Sequence, residues 1–161
     1  MATPIRRRTR ARELAVQFLY QLDLRGEEVL ADLDTFLTDE SKDQEVRDFA
    51  RALVVGTQKH RDDYDRRLRA VTRNWDLKRM AVVDRNVLRM AIYEMSECAD
   101  IPAKVTINEA IELAKRFSTQ NSGAFVNGIL DRIRLDLVQE GRLADATGAR
   151  ANAAPPVRSE E

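Results

Sequence analysis

Apolar residues recur at three- and four-residue spacing along most of the first 140 positions. Nowhere do they alternate at the period of two that a half-buried strand requires. Leu14, Phe18 and Leu22, with Ala11, Ala15 and Leu19 beside them, predict a first amphipathic helix that Gly26 breaks. Val29, Leu33, Phe36 and Leu37 predict a short second helix. A third carries Val46, Phe49, Ala50, Leu53 and Val54, with Ser41 and Gln44 as a capping box before it and Gly56 near its end. Tyr64, Leu68 and Val71 form a fourth stripe, and Trp75 falls just beyond it.

The segment from Met80 to Cys98 has a different pattern. Val83, Val87, Met90 and Ala91 share one side with Glu94, yet Leu88, Ile92 and Met95 widen the apolar face well past a stripe. Such a helix is packed on more than one side, so it is the predicted centre of the fold. Asp100-Ile101-Pro102 ends it, because the residue before a proline is biased away from helix. Thr106 and Glu109 read as a second capping box, opening a helix with Ile107, Ala110, Ile111, Ala114 and Phe117. The polar stretch STQNSG then separates a last helix with Phe125, Val126, Ile129, Leu130, Ile133 and Leu137.

The expectation is an all-α protein of about seven helices. Residues 1–10 form a flexible arginine-rich arm and 11–140 a single helical domain, with subdomains at about 11–75 and 76–140. From Gly141 onward the chain loses large apolar residues and gains Ala, Gly and Pro, so 141–161 is expected to be a disordered tail.

Composition changes the picture mainly by exclusion. With one cysteine, Cys98, neither an internal disulfide nor a multi-cysteine metal site can form, and a cytoplasmic setting is the expectation. No apolar run approaches a membrane span. His60, the single histidine, lies between Lys59 and Arg61 and reads as a surface residue. Acid pairs such as Asp62-Asp63 read as solvated helix faces, and no Gly-rich loop follows a strand. No catalytic constellation, metal or cofactor is expected, and the protein does not read as an enzyme.

Charge adds one feature. The chain has 27 basic and 27 acidic residues, a formal net charge of zero that conceals five arginines and no acid within residues 1–12. Arg6, Arg7, Arg8, Arg10 and Arg12 run directly into the first helix, adding positive charge where the helix dipole is already positive. Such a placement suits a polyanion partner, since guanidinium forks match phosphate oxygens and can stack on bases. The alternative is an ordinary solvated tail. Tyr20 lies one turn after Val16, off the main stripe, where it either stacks on a base or packs at a rim.

Three stretches in order, RRRTRARELAVQFLYQLDL, VVDRNVLRMAIYEM and IPAKVTINEAIELAKRFSTQNSGAFVNGILDRI, resemble the NusB family of bacterial transcription antitermination factors. The resemblance covers most of residues 6–135. It implies a fold of two roughly perpendicular helical bundles, of three and then four helices. It also implies binding of boxA, a single-stranded element of ribosomal RNA leader transcripts, as a heterodimer with NusE, a protein of the small ribosomal subunit. NusA, NusG and RNA polymerase would complete the antitermination complex. Some family members form homodimers.

Carried over by position, the RNA-binding residues implied are Arg6, Arg7, Arg8, Arg10 and Arg12 of the arm, Tyr20, and Thr119, Gln120, Asn121, Ser122 and Phe125 around the start of the last helix. For Phe125, core packing is weighed slightly above stacking, because it begins an apolar stripe. Asn121 stands where many family members have Asp. The NusE face implied is Lys78, Arg79, Asp84 and Arg85, whereas Asn108, Glu109 and Asn127 read as caps and inter-helix hydrogen bonds. Two other readings compete: a helical protein-interaction adaptor, and a relative of the RNA-binding domain of ribosomal RNA cytosine methyltransferases.

Overall fold

A computed structural model of the chain describes residues 3–73 and 76–144. Among these there are seven α-helices and no strand. They are α1 (Pro4–Arg25), α2 (Leu33–Glu40), α3 (Gln44–Lys59), α4 (Arg61–Thr72), α5 (Val82–Glu97), α6 (Ala103–Phe117) and α7 (Ser122–Gln139), with 3-10 turns at Glu27–Asp32 and Leu77–Arg79. Trp75 and the expected tail from residue 145 lie outside the described residues. No described helix is long and apolar enough to cross a membrane.

The chain divides into two compact units, Met1–His60 and Arg61–Glu161, which hold three and four α-helices. The division falls at the C-cap of α3, well before the expected boundary near residue 75. The reason is α4: it buries Tyr64 and Leu68 and packs against α5 and α7, so its partners lie in the second unit.

In the first unit α1 packs along α3. Leu14, Phe18 and Leu22 are buried as the spacing predicts, as are Val46, Ala50, Leu53 and Val54 of α3. Phe18 meets Phe36 of α2 with ring centroids 5.3 Å apart. The expected flexible arm is instead the first two turns of α1. Thr3 Oγ1 accepts a hydrogen bond from Arg6 N–H (3.2 Å) and Pro4 fills the first helical position, a cap and a preset φ that start the helix ahead of the arginines. At the other end Gly26, at φ 101°, turns the chain out of α1.

Both expected capping boxes resolve differently. Asp43 caps α3 by accepting from Glu45 N–H (3.0 Å), while Ser41 Oγ accepts from Asp43 N–H (3.1 Å) one step earlier. α6 starts at Ala103, so Thr106 lies inside the helix, buried, with its hydroxyl donating to Glu94 Oε1 of α5 (3.0 Å).

In the second unit α5 is flanked by α4, α6 and α7. Every residue from Asn86 to Ile92 is buried, which fits a helix with no solvent face along that stretch. Four of its buried residues are polar: Asp84, Asn86, Arg89 and Glu94. Arg89 grips Asp65 of α4 with two bonds, Nε to Oδ1 at 2.6 Å and Nη2 to Oδ2 at 3.1 Å. Its Nη1 donates to Asn86 Oδ1 (3.0 Å), and Asn86 Nδ2 donates back to the Val82 carbonyl (2.9 Å). A bidentate guanidinium–carboxylate pair with a further donor engaged is the arrangement in which a buried charge pair is tolerated.

The first residues of the expected tail are ordered. Gly141 (φ 69°) ends α7 with the paired bonds Arg142 N–H to Leu137 O (2.8 Å) and Gly141 N–H to Val138 O (3.0 Å). The chain then turns back, burying Leu143 and Ala144, and Ala144 N–H reaches Met95 O of α5 (2.8 Å).

Removing one partner of the Arg89–Asp65 pair leaves a buried charge without its bidentate partner; Asp65 would keep only the longer contact to Arg61 at 3.8 Å. Arg89→Ala is expected to destabilise the protein by about 3–5 kcal/mol in urea denaturation. The double variant Asp65→Leu/Arg89→Met should be more stable than either single variant, because it removes both charges together. A double variant less stable than both would overturn this account.

Candidate nucleic-acid interface

The first turn of α1 has no acidic residue to offset the helix dipole, and five arginines follow within its first three turns. Part of that charge is met inside the fold. Arg7 pairs through Nε with Asp43 (3.0 Å) and through Nη1 with Glu45 (2.9 Å), two carboxylates at the start of α3. There they also complement the dipole of α3 itself. Arg10 reaches Glu13 at 3.4 Å and Glu40 at 3.5 Å, with its side chain still 42% exposed.

Arg8 and Arg12, one turn apart, both lie over the ring of Phe49 on α3, their guanidinium carbons 5.0 and 5.6 Å from its centroid. Arg12 is only 3% exposed, so it braces α1 on α3 and is sterically withdrawn from a ligand. Arg6 is exposed, Arg8 half-buried. The arginines that face outward are therefore Arg6 and Arg10, with Arg8 at the edge of the Phe49 platform. Tyr20, 40% exposed on the same helix, presents ring surface to solvent.

The second group of residues belongs to the second unit, in the connection between α6 and α7. Thr119, Gln120 and Asn121 are exposed. Ser122 is buried and donates to Asp84 Oδ2 of α5 (3.1 Å), with the hydroxyls of Ser118 and Thr119 lying 3.2 and 3.0 Å from Ser122 Oγ. Its work is to hold the connection on α5, not to face a ligand. Asn121 precedes the first turn of α7 without a side-chain capping bond, and Phe125 is half-buried. Gly123 is buried where an added Cβ would meet Lys115 Cδ at 3.0 Å, so its lack of a side chain lets α7 begin close against α6.

The four residues assigned by position to a partner face separate in the same way. Lys78 and Arg79 are exposed on the 3-10 turn that Asp76 caps, its Oδ1 accepting from Lys78 N–H (3.0 Å). Arg85 is half-buried and donates to the Leu77 carbonyl (3.2 Å). Asp84 is buried on α5, where it takes the Ser122 bond at the first residue of α7, a position that complements that helix's dipole.

Asn108 and Asn127, expected as caps and inter-helix links, are instead exposed and line a cleft between α6 and α7. Phe49 was missed as a site residue because its spacing marks it as core; only its position beneath two arginines distinguishes it. Among the described residues no cluster of His, Cys, Asp and Glu could hold a metal ion.

The NusB family model matches residues 9–134. The transcription antitermination protein NusB of Anaeromyxobacter dehalogenans (strain 2CP-1) is 51% identical over 128 residues, covering 79% of this chain and 89% of that protein. The protein of the same name from Myxococcus xanthus is 46% identical over 135 residues, covering 81% and 96%. A crystal form of T. maritima NusB superposes with a TM-score of 0.76 at 43% identity, covering 84% of this chain and 94% of that one. A structure of antitermination factors NusB and NusE in complex with dsRNA matches with a TM-score of 0.74 at 26% identity, covering 82% and 98%. With seven α-helices among its described residues and a family match across most of its length, the chain belongs to the NusB family.

Proposed function

We propose that this chain is a cytoplasmic, non-enzymatic transcription antitermination factor that binds boxA RNA of ribosomal RNA leader transcripts together with NusE. In this reading the pair then joins NusA, NusG and RNA polymerase. Family membership supports the antitermination role, and the similar structure holding NusB, NusE and RNA supports the two partners. The observation that carries RNA binding is the cationic start of α1, where Arg6 is exposed, Arg10 keeps 42% of its side chain exposed beside Glu13 and Glu40, and Arg8 lies over an aromatic ring.

The residues divide by chemistry. Arg6, Arg8 and Arg10 supply phosphate and stacking contacts, Tyr20 a second stacking surface, and Thr119, Gln120 and Asn121 polar groups before a helix N-terminus, with Phe125 beside them. Arg7, Arg12 and Ser122 act through position, since each is engaged within its own unit. On the NusE side Lys78 and Arg79 are the exposed contacts, with Arg85 holding the turn that carries them and Asp84 anchoring the start of α7.

The test is a titration of boxA RNA and a scrambled RNA of equal length, with and without NusE, at two salt concentrations. Tighter binding to boxA and a further gain with NusE are expected; equal affinity for both RNAs would overturn the reading. The double variant Arg6→Ala/Arg10→Ala should weaken binding to both RNAs alike. It should also flatten the dependence of log K on log salt by roughly 0.7 for each phosphate no longer neutralised. An unchanged slope would remove the start of α1 from the interface.

Asn121 adds an amide where a carboxylate would repel phosphate. Asn121→Asp is therefore expected to lower boxA affinity, and an unchanged or tighter complex in the same titration would contradict this.

A further inference from the structure

A groove of about 450 Å³ opens between the start of α1 and the middle of α3, lined by Pro4, Arg7, Arg8, Glu45, Asp48, Phe49 and Ala52. Its charges balance: two arginines face two carboxylates, and Arg7 is already paired with Glu45 and with Asp43 nearby. A neutralised groove does not concentrate phosphate, so its ligand is not the RNA backbone. What remains is a platform of Arg8 over Phe49, 5.0 Å from guanidinium carbon to ring centroid, with apolar walls from Pro4 and Ala52. Asp48 adds an acceptor deeper along α3: its Oδ1 takes Gln44 Nε2 (2.7 Å), and Oδ2 is the oxygen placed to accept a donor from outside.

We propose that this groove is a subsite for one unpaired nucleobase that carries an amino group. The base stacks on the Arg8 guanidinium, which Phe49 backs, and its exocyclic amino group donates to Asp48. The inference rests on the RNA-binding reading and divides the labour within it. Arg6 and Arg10 meet phosphates, while the groove between α1 and α3 reads a base. Guanidinium planes are effective stacking partners for splayed bases, and a carboxylate accepts from an amino edge but repels a keto oxygen.

The test uses the full chain and boxA RNA in fluorescence anisotropy, with each nucleotide in turn replaced by an abasic residue. In the parent protein one abasic position is expected to lower affinity about tenfold through the missing stack. In Phe49→Leu that same substitution should cost less than about twofold, because the platform is already gone. Placing uracil at that position should weaken the parent but leave Asp48→Asn indifferent between uracil and an amino-bearing base. Phe49→Leu, which changes no charge, should not alter the salt slope.

Abasic penalties that persist unchanged in Phe49→Leu, or a slope that falls with it, would overturn the subsite. If Phe49→Leu fails to fold by circular dichroism, the exposed Asp48→Asn variant decides alone, and retained discrimination against uracil overturns the proposal. A parent protein that binds boxA no better than scrambled RNA would instead overturn the RNA-binding reading on which the subsite rests.

Discussion

The second unit is organised around a charge that water cannot reach. Arg89 lies in the middle of a helix buried on all sides, so its guanidinium must find every partner within the protein. Asp65 supplies both carboxylate oxygens and Asn86 an amide oxygen, and this fixes the rotation of α5 against α4. A leucine there would bury well at several rotations; a bidentate pair is satisfied at one. Two further polar contacts from the same helix extend the constraint. Glu94 takes the Thr106 hydroxyl of α6, and Asp84 takes Ser122 at the start of α7. One helix thereby sets the register of its three neighbours by hydrogen bonds placed along its length.

This dependence explains which parts of the fold were legible in the sequence. Apolar spacing identified all seven helices and the central role of α5, because helical periodicity records which faces are buried. The same pattern could not say that Asp84 and Arg89 point inward. A charged residue inside a helix is ambiguous until its partner is known, and Asp65 lies 24 positions from Arg89. The caps failed for a related reason. Ser41 and Thr106 each have the right residue three places on, but Asp43 offers a shorter reach to α3, and Pro102 starts α6 early. The Thr3-Pro4 pair was a readable helix start, overshadowed by the run of arginines after it.

The candidate site was half legible. Clustered arginines without acids pointed to an anionic ligand, and a family resemblance supplied a candidate for it. Sequence could not apportion the cluster, because most of the groups that engage it come from other elements: Asp43, Glu45 and the face of Phe49 from α3 and its cap, and Glu40 from α2. Folding converts five equivalent charges into distinct roles, some structural and some outward. The dipole conflict at the start of α1 is thus relieved in part by carboxylates that already suit the start of α3.

The contacts around Ser122 have a kinetic consequence. Ser118 and Ser122 bracket only three exposed residues, and the bond to Asp84 ties that short connection to the most buried helix of its unit. Its conformational freedom is given up when the protein folds, so little is left to lose when a ligand arrives. A ligand of the proposed kind meeting Thr119–Asn121 would then associate without a slow rearrangement step, and differences among such ligands would appear in how long they stay.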